Sequence, residues 1–177
     1  PPTLFRTNTL KTTPAELAAQ LRIEGLQVTP LAWQDEAFEV ASHQRRLLTE
    51  SSAQADGLLY VQNASSMLPP ALLCPQRTDW VLDLCAAPGG KTVHLSALME
   101  NCGKISAVDS VRTRFFRLKQ NLERYGVTNA RTYLKDGSKL WRECAAQFDR
   151  ILLDAPCSGE ARMRSSDPQS FRYWSER

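Results

Sequence analysis

The stretch Asp83-Leu84-Cys85-Ala86-Ala87-Pro88-Gly89-Gly90-Lys91-Thr92 joins an apolar run at 81–85 to a helical stretch at about 91–100. Its Pro-Gly-Gly turn lets the backbone pass close to a ligand, because glycine carries no side chain. A phosphate-binding P-loop needs a glycine where Cys85 stands, and the G-x-G-x-x-G dinucleotide fingerprint is absent. The stretch therefore predicts a site for a nucleotide that lacks a phosphate group.

The sequence around this stretch alternates between strand and helix patterns. Such alternation predicts a parallel sheet with helices on both of its faces, which is a doubly wound α/β fold. The apolar runs lie at 81–85, 105–108, 131–134 and 150–153, and the helical stretches at about 91–100, 111–125 and 138–146.

Acidic side chains fall at or near the end of each apolar run, at Asp83, Asp109, Asp136 and Asp154. Any one of them could cap a helix or a turn, but the carboxyl ends of parallel strands meet at one edge, where such sheets bind ligands. Asp109 follows Asp83 by twenty-six residues and is placed to accept hydrogen bonds from two ribose hydroxyls. S-adenosylmethionine (SAM) contains an adenosine but no phosphate, and it fits this pattern.

A second, smaller unit precedes the α/β pattern. Thr13-Pro14-Ala15-Glu16 has the capping hydroxyl, the proline and the glutamate of a helix start, and Gly25 supplies the stop. Partly alternating runs at 4–10, 26–31 and 37–41 suit strands. We predict a small α+β domain over 1–60, a connecting segment over 61–79 that contains Pro69 and Pro70, and the α/β core over 80–177.

Four stretches resemble the Fmu/Sun family of RNA 5-methylcytosine methyltransferases, which includes RsmB-like, RsmF-like and NSUN proteins. They are 60–67, the loop 83–92, Ala-Val-Asp at 107–109 and Asp-Ala-Pro-Cys-Ser-Gly-Glu at 154–160. The resemblance implies a Rossmann-like SAM methyltransferase core, and an RRM-like fold for the unit over 1–60. It also implies that the cofactor is SAM and that the reaction is methylation of cytosine C5 in RNA.

The same resemblance assigns roles to individual residues. The loop would hold the methionine end of SAM, Asp109 its ribose and Asp136 its adenine edge, whereas Asp154 would lie near both the cofactor and the base. An acidic group at the pyrimidine N3 edge stabilises the reacting base, and Asp154 could do so if it is protonated or shares a proton. The implied cofactor-binding residues are Cys85, Ala86, Ala87, Pro88, Gly89, Gly90, Lys91, Asp109, Arg114, Asp136 and Asp154.

The cysteine that attacks carbon 6 of cytosine is less obvious. Cys157 follows Pro156, but the resemblance gives this cysteine a role in release of the methylated RNA, and places the nucleophile in a later Thr-Cys motif. The 177 residues contain no Thr-Cys dipeptide. Only four of the seven strands expected for the family are found. We therefore expect a fragment that transfers no methyl group by itself, with Cys157 as nucleophile the less favoured alternative.

Composition agrees with an RNA partner without requiring one. Residues 80–177 carry sixteen basic and eleven acidic side chains, and the 177 residues contain no run of eighteen apolar residues and no Cys-x-x-Cys pair for zinc. We expect a cytoplasmic monomer without metal or membrane contact. The resemblance of Ser158-Gly159-Glu160 favours ribosomal over transfer RNA. A non-catalytic RNA-binding module is the main alternative; methylation of an exocyclic amine is disfavoured, because the Asp-Ala-Pro-Cys loop lacks the Pro-Pro-aromatic pattern.

Overall fold

The computed structural model describes residues 1–155, which form two four-stranded sheets. The first sheet has the strand order β2-β3-β1-β4, and its pairs are antiparallel. Helix α1 and the two short helices α2 and α3 belong to the same unit. The elements are β1 (Thr3–Thr7), α1 (Pro14–Ile23), β2 (Thr29–Leu31), β3 (Gln34–Val40), a 3₁₀ turn (Ser42–Gln44), α2 (Arg45–Glu50), α3 (Ser52–Ala55) and β4 (Leu59–Val61).

Helix α1 forms as its sequence predicts. The Thr13 hydroxyl accepts the backbone N–H of Glu16, and the Glu16 carboxylate accepts the backbone N–H of Thr13, so two otherwise unpaired donors of the first turn are satisfied. Leu17 and Leu21 are fully buried against the first sheet. Capping and burial of one apolar face together specify this helix.

The strands of the first unit differ in extent from the sequence prediction. The run at 26–31 buries Leu26 and Val28, but only Thr29–Leu31 pairs with β3. Strand β4 was not predicted, because three residues are too few to show an alternating pattern. It pairs with β1 through Val61, and so reaches one residue past position 60.

The second sheet confirms the four predicted parallel strands, in the order β7-β6-β5-β8. The middle strands β5 and β6 carry the buried apolar side chains of the core, and α5 and α6 pack beside them. The elements are β5 (Trp80–Leu84), α5 (Gly90–Leu98), β6 (Lys104–Asp109), α6 (Arg112–Arg124), β7 (Ala130–Leu134), a 3₁₀ helix (Gly137–Arg142) and β8 (Arg150–Leu153). This is a Rossmann-like α/β arrangement.

Two helix predictions need correction. The stretch at about 138–146 forms the short 3₁₀ helix Gly137–Arg142 instead of a longer α-helix, and Ala146 has a positive φ of 56° that no helix accommodates. The connecting segment 61–79 contains α4 (Ala64–Leu73), although Pro69 and Pro70 lie inside it. In the sequence, the two prolines argue against a helix, but burial of Met67 and Pro70 against the core stabilises it.

The two sheets are joined by buried hydrogen bonds as well as by apolar contacts. The Asn8 amide donates to the carbonyl oxygens of Gly57 and Tyr125, at 2.9 Å each, and so links the first unit to the end of α6. Lys11 adds hydrogen bonds to the carbonyl oxygens of Asp56 and Arg124. The rings of Tyr60 and Tyr125 pack with their centroids 4.9 Å apart. These contacts hold the first unit against the α/β core.

We expect Asn8→Ala to lower the free energy of unfolding by about 2–3 kcal/mol, because it leaves two buried carbonyl groups without a donor. Urea denaturation followed by circular dichroism measures this change. The neighbouring exposed Thr9 provides the control, and Thr9→Ala should change stability by less than about 0.5 kcal/mol. Equal stability of the Asn8 and Thr9 variants would contradict the structural role of Asn8.

Candidate functional site

The loop after β5 forms the floor of the candidate site. Cys85 has a left-handed φ of 61°, and the Ala86 N–H donates to the Val108 carbonyl at 2.8 Å, which ties the loop to β6. Gly89, with a φ of 108°, is the residue before α5. A Cβ on Gly90 would lie 2.8 Å from the Tyr60 ring, so any larger residue there would require the ring to move. The Pro-Gly-Gly turn thus serves close packing as well as backbone exposure.

Asp109 lies at the end of β6 and its carboxylate is held against the loop. One oxygen, Oδ2, accepts the Ala87 N–H at 3.2 Å, and the other, Oδ1, accepts the Val111 N–H at 2.9 Å. Arg114 from α6 lies 3.5 Å from Oδ2 and donates to the Ala87 carbonyl at 2.6 Å. The structure therefore brings Asp109 and Arg114, both predicted from the sequence, to the loop between β5 and α5.

Asp83 lies beneath the same loop and is 1% exposed. Its Oδ2 accepts the Thr92 hydroxyl at 2.6 Å, whereas its Oδ1 has no hydrogen-bond partner among the described residues. Burial raises the pKa of Asp83 to about 7, although the Thr92 hydrogen bond and the charge of Lys91 oppose the shift. The sequence shows Asp83 as one of four acids near strand ends, but its burial is visible only in the structure.

Lys91 and Asp154 form an ion pair in the lining of a cavity of about 270 Å³. The Lys91 ammonium donates to Asp154 Oδ2 at 2.6 Å, and 15% of the Lys91 side chain is exposed, against 56% of Asp154. The pair joins the first turn of α5 to the end of β8. The cavity is lined by Tyr60, Val61, Gln62, Asn63, Ser66, Asp83, Cys85, Ala86, Ala87, Pro88, Gly90, Lys91 and Asp154.

Asp136 lies apart from these residues. It follows β7 and caps the 3₁₀ helix, where its Oδ1 accepts the Ser138 N–H at 3.0 Å and the Ser138 hydroxyl at 2.7 Å. These hydrogen bonds lower the pKa of Asp136. It is exposed and does not line the cavity. Its assignment to the adenine edge stays a prediction, and capping explains its present contacts.

The cysteines of the site differ in what the structure tells about them. Burial, followed by the negative charge of Asp109, raises the pKa of the Cys85 thiol, so this residue is a poor source of thiolate at neutral pH. Cys157 lies outside the described residues, as do Pro156 and the Ser158-Gly159-Glu160 stretch. The role of Cys157 therefore stays a prediction.

The connecting segment contributes one wall of the cavity, which the sequence analysis did not assign to any residue. Tyr60, Gln62, Asn63 and Ser66 line it opposite the loop. The only signal was the resemblance of 60–67 to a family motif, because polar residues before a double proline otherwise indicate a connection. The cavity is thus lined both by the connecting segment and by the loop of the second sheet.

The fold and the site define an α/β protein with a nucleotide-type site at the carboxyl ends of its parallel strands, the place where such sheets bind cofactors. The family model described as 16S rRNA methyltransferase RsmB/F matches residues 70–170. The chain belongs to this family.

Curated relatives agree along the whole chain. Proteins named ribosomal RNA small subunit methyltransferase F are 36% identical in Shewanella loihica, 39% in Aeromonas hydrophila and 40% in Escherichia coli, each over 97% of this chain. The chain spans only 36–37% of the length of these relatives.

Solved structures share the fold. A methyltransferase homologue from Pyrococcus horikoshii superposes with a TM-score of 0.81 and is 36% identical over 99% of this chain and 59% of its own. NSun6 from the same organism, solved with SFG, also gives a TM-score of 0.81 over 89% of this chain and 63% of its own, but at 22% identity it shows the fold alone.

The titration of Asp83 generates a stability prediction. Because its pKa is raised to about 7 in the folded state, the folded protein binds this proton more tightly than the unfolded chain. The stabilising contribution is complete below the ordinary pKa of about 4 and is lost as the pH rises to about 7. Asp83→Asn, which can still accept the Thr92 hydroxyl, removes the ionisation.

Relative to the unmodified protein, Asp83→Asn should therefore gain about 2 kcal/mol in free energy of unfolding between pH 5 and pH 8. Urea denaturation at the two pH values measures this difference. Asp136→Asn is the matched control, since the pKa of Asp136 is lowered and the group stays ionised across this range. A pH dependence that is the same with and without the Asp83 carboxyl would show that this group does not titrate there.

Proposed function

We propose that this chain carries the cofactor-binding part of a SAM-dependent methyltransferase that modifies C5 of cytosine in ribosomal RNA. The observation that carries the proposal is the arrangement of Asp83, Asp109 and Asp154 around the loop 85–91, with Lys91 paired to Asp154 in the lining of the cavity. Membership in the RsmB/F family and the names of the relatives support the ribosomal substrate.

The residues present fit SAM. Each Asp109 oxygen accepts one backbone N–H and has further acceptor capacity, which two ribose hydroxyls would use. The buried Asp83 Oδ1 has no donor among the described residues and is a further acceptor for the cofactor. When bound, SAM supplies a methyl group on a sulfonium centre. These two carboxylates favour a cationic nucleoside over a phosphorylated one.

Asp154 and Lys91 would orient the base. Lys91 occupies Asp154 Oδ2, which leaves Oδ1 to accept a hydrogen bond from the amino group beside N3 of the cytosine. The low exposure of the Lys91 side chain restricts its movement, so the lysine holds the carboxylate at a fixed position beside the cavity. In this proposal Asp154 stabilises the cytosine while carbon 6 is attacked, and Lys91 positions Asp154.

The first unit would contact RNA. Its elements follow the order β-α-β-β-α-α-β, with the short helices α2 and α3 where an RRM has one helix, and its strands follow the order β2-β3-β1-β4, which supports an RRM-like fold. We propose that residues 1–60 form this RNA-binding domain and that 80–177 form the methyltransferase core, with 61–79 as their connection. Within residues 1–155, none of the helices could span a lipid bilayer. We further propose that the protein is a cytoplasmic monomer that works without a metal ion.

Calorimetric titration with SAM tests the cofactor site. We expect saturable binding, and at least a tenfold loss of affinity in Asp109→Ala, because the variant removes the ribose acceptors and leaves the Ala87 and Val111 N–H groups unpaired. Asp136→Ala serves as a test of the second predicted acid, with a smaller loss expected. RNA binding by a protein that shows no SAM binding would support the alternative, a non-catalytic RNA-binding module.

A methyl-transfer assay tests whether residues 1–177 include a catalytic nucleophile. Because residues 1–177 contain no Thr-Cys dipeptide, we expect the purified 177-residue chain to transfer no tritiated methyl group to ribosomal or transfer RNA, even where it binds SAM. A single nucleophile can contribute about a million-fold to turnover. Labelled 5-methylcytosine in the RNA would overturn this expectation and make Cys157 the nucleophile.

A further inference from the structure

Only one end of the Gln62 side-chain amide has a hydrogen-bond partner among the described residues. The residue is 8% exposed, and its backbone N–H donates to the Leu4 carbonyl at 3.1 Å. Its Nε2 donates to the Ser66 carbonyl at 3.0 Å, whereas Oε1 is buried and has no partner among the described residues. One end of the amide is therefore satisfied, and the other end is an acceptor without a donor.

Pro70 explains why the amide points this way. In a regular helix the Ser66 carbonyl would accept the N–H of residue 70, but proline has none. The Gln62 Nε2 supplies the missing donor. A reversed amide would place its oxygen against the Ser66 carbonyl oxygen, so α4 fixes the orientation that leaves Oε1 unpaired.

A second acceptor without a donor lines the same cavity. Asp83 Oδ1 is buried and unpaired among the described residues, while Thr92 holds Oδ2. Gln62 and Asp83 both line the cavity of about 270 Å³ that contains the loop 85–91. Two buried oxygens that lack donors favour a ligand group with several N–H bonds at this position.

The charges of the cavity favour a cationic group. Its lining contains the carboxylates Asp83 and Asp154 and one cation, Lys91, which is paired with Asp154. Asp83 is left without a cation of its own in this lining. SAM has two cationic groups, and only the primary ammonium at its amino-acid end has N–H donors, three in number. The sulfonium has none, and the ribose hydroxyls and the adenine amine are neutral.

We propose that Gln62 Oε1 accepts a hydrogen bond from the α-ammonium group of the bound cofactor, beside Asp83. This inference rests on the proposed function, since it requires that the cavity hold SAM. It gives the segment between the two sheets a direct part in cofactor recognition. Gln62 is then a binding residue supplied from outside the methyltransferase sheet, and its orientation depends on Pro70 of α4.

Calorimetry with two ligands tests the contact. The ligands are S-adenosylhomocysteine and an analogue in which hydrogen replaces the α-amino group. In the unmodified protein we expect the amino group to improve affinity, and in Gln62→Met we expect the ratio of the two affinities to fall by about 10- to 100-fold, the effect of a hydrogen bond to a charged group. Any loss of the Ser66 contact weakens both ligands equally and leaves this ratio unchanged.

Two further variants complete the design. Gln62→Glu keeps an oxygen acceptor but removes the donor to Ser66, so the ratio should be retained or raised even if overall affinity falls. Ser65→Ala changes an exposed residue of α4 that does not line the cavity, and it should leave the ratio as it is in the unmodified protein. Retention of the ratio by glutamate and its loss in methionine would together identify the acceptor as the cause.

An unchanged ratio in Gln62→Met would overturn the inference and leave Gln62 a purely structural partner of α4. A variant with normal affinity for both ligands but a weakened affinity for RNA would also overturn it, and would assign Gln62 Oε1 to the nucleobase. The failure of the proposed function looks different, because the unmodified protein would then bind neither ligand.

Discussion

The common direction of the four strands in the second sheet is the constraint on which the site depends. Parallel pairing places the carboxyl ends of β5, β6, β7 and β8 at one edge of the sheet. Acidic side chains at those ends therefore lie at the same edge even though their charges repel. Asp83, Asp109 and Asp154 are brought around one loop, and mutual repulsion adds to burial in raising the pKa of Asp83. Lys91 and Arg114 offset part of that charge.

Much of this arrangement follows from the sequence, because it depends on features that are local or periodic. The four apolar runs predict β5 to β8, and the capping residues predict α1. Arg114 was expected near the loop only from the family resemblance. What the sequence does not show depends on tertiary contacts. Helix α4 forms through two prolines because it is buried and because Gln62 replaces a missing donor, and neither fact is visible in a local pattern.

Asp136 illustrates the limit of reasoning from strand ends. Its position after β7 resembles that of Asp109 after β6, yet Asp136 is exposed and caps a 3₁₀ helix, whereas Asp109 is buried against the loop 85–91. The position of an acid along its strand predicts only that it lies at the carboxyl edge of the sheet. The neighbouring loop decides which acids at that edge are held inward, as the Ala87 N–H holds Asp109.

The packing of the first unit on the core connects the cavity to the fold as a whole. Arg6 and His94 are fully buried, and two nitrogens of each have no hydrogen-bond partner within residues 1–155. Burial lowers the pKa of His94 to about 2 and that of Arg6 to about 10. Such groups are costly, so this interface depends on compensating contacts such as those of Asn8 and Tyr60. Tyr60 and Gln62 belong both to that packing and to the cavity wall. A ligand that contacts both residues binds the form in which the two units are packed together. Binding therefore stabilises this packing by the same free energy by which the packing strengthens binding of the ligand.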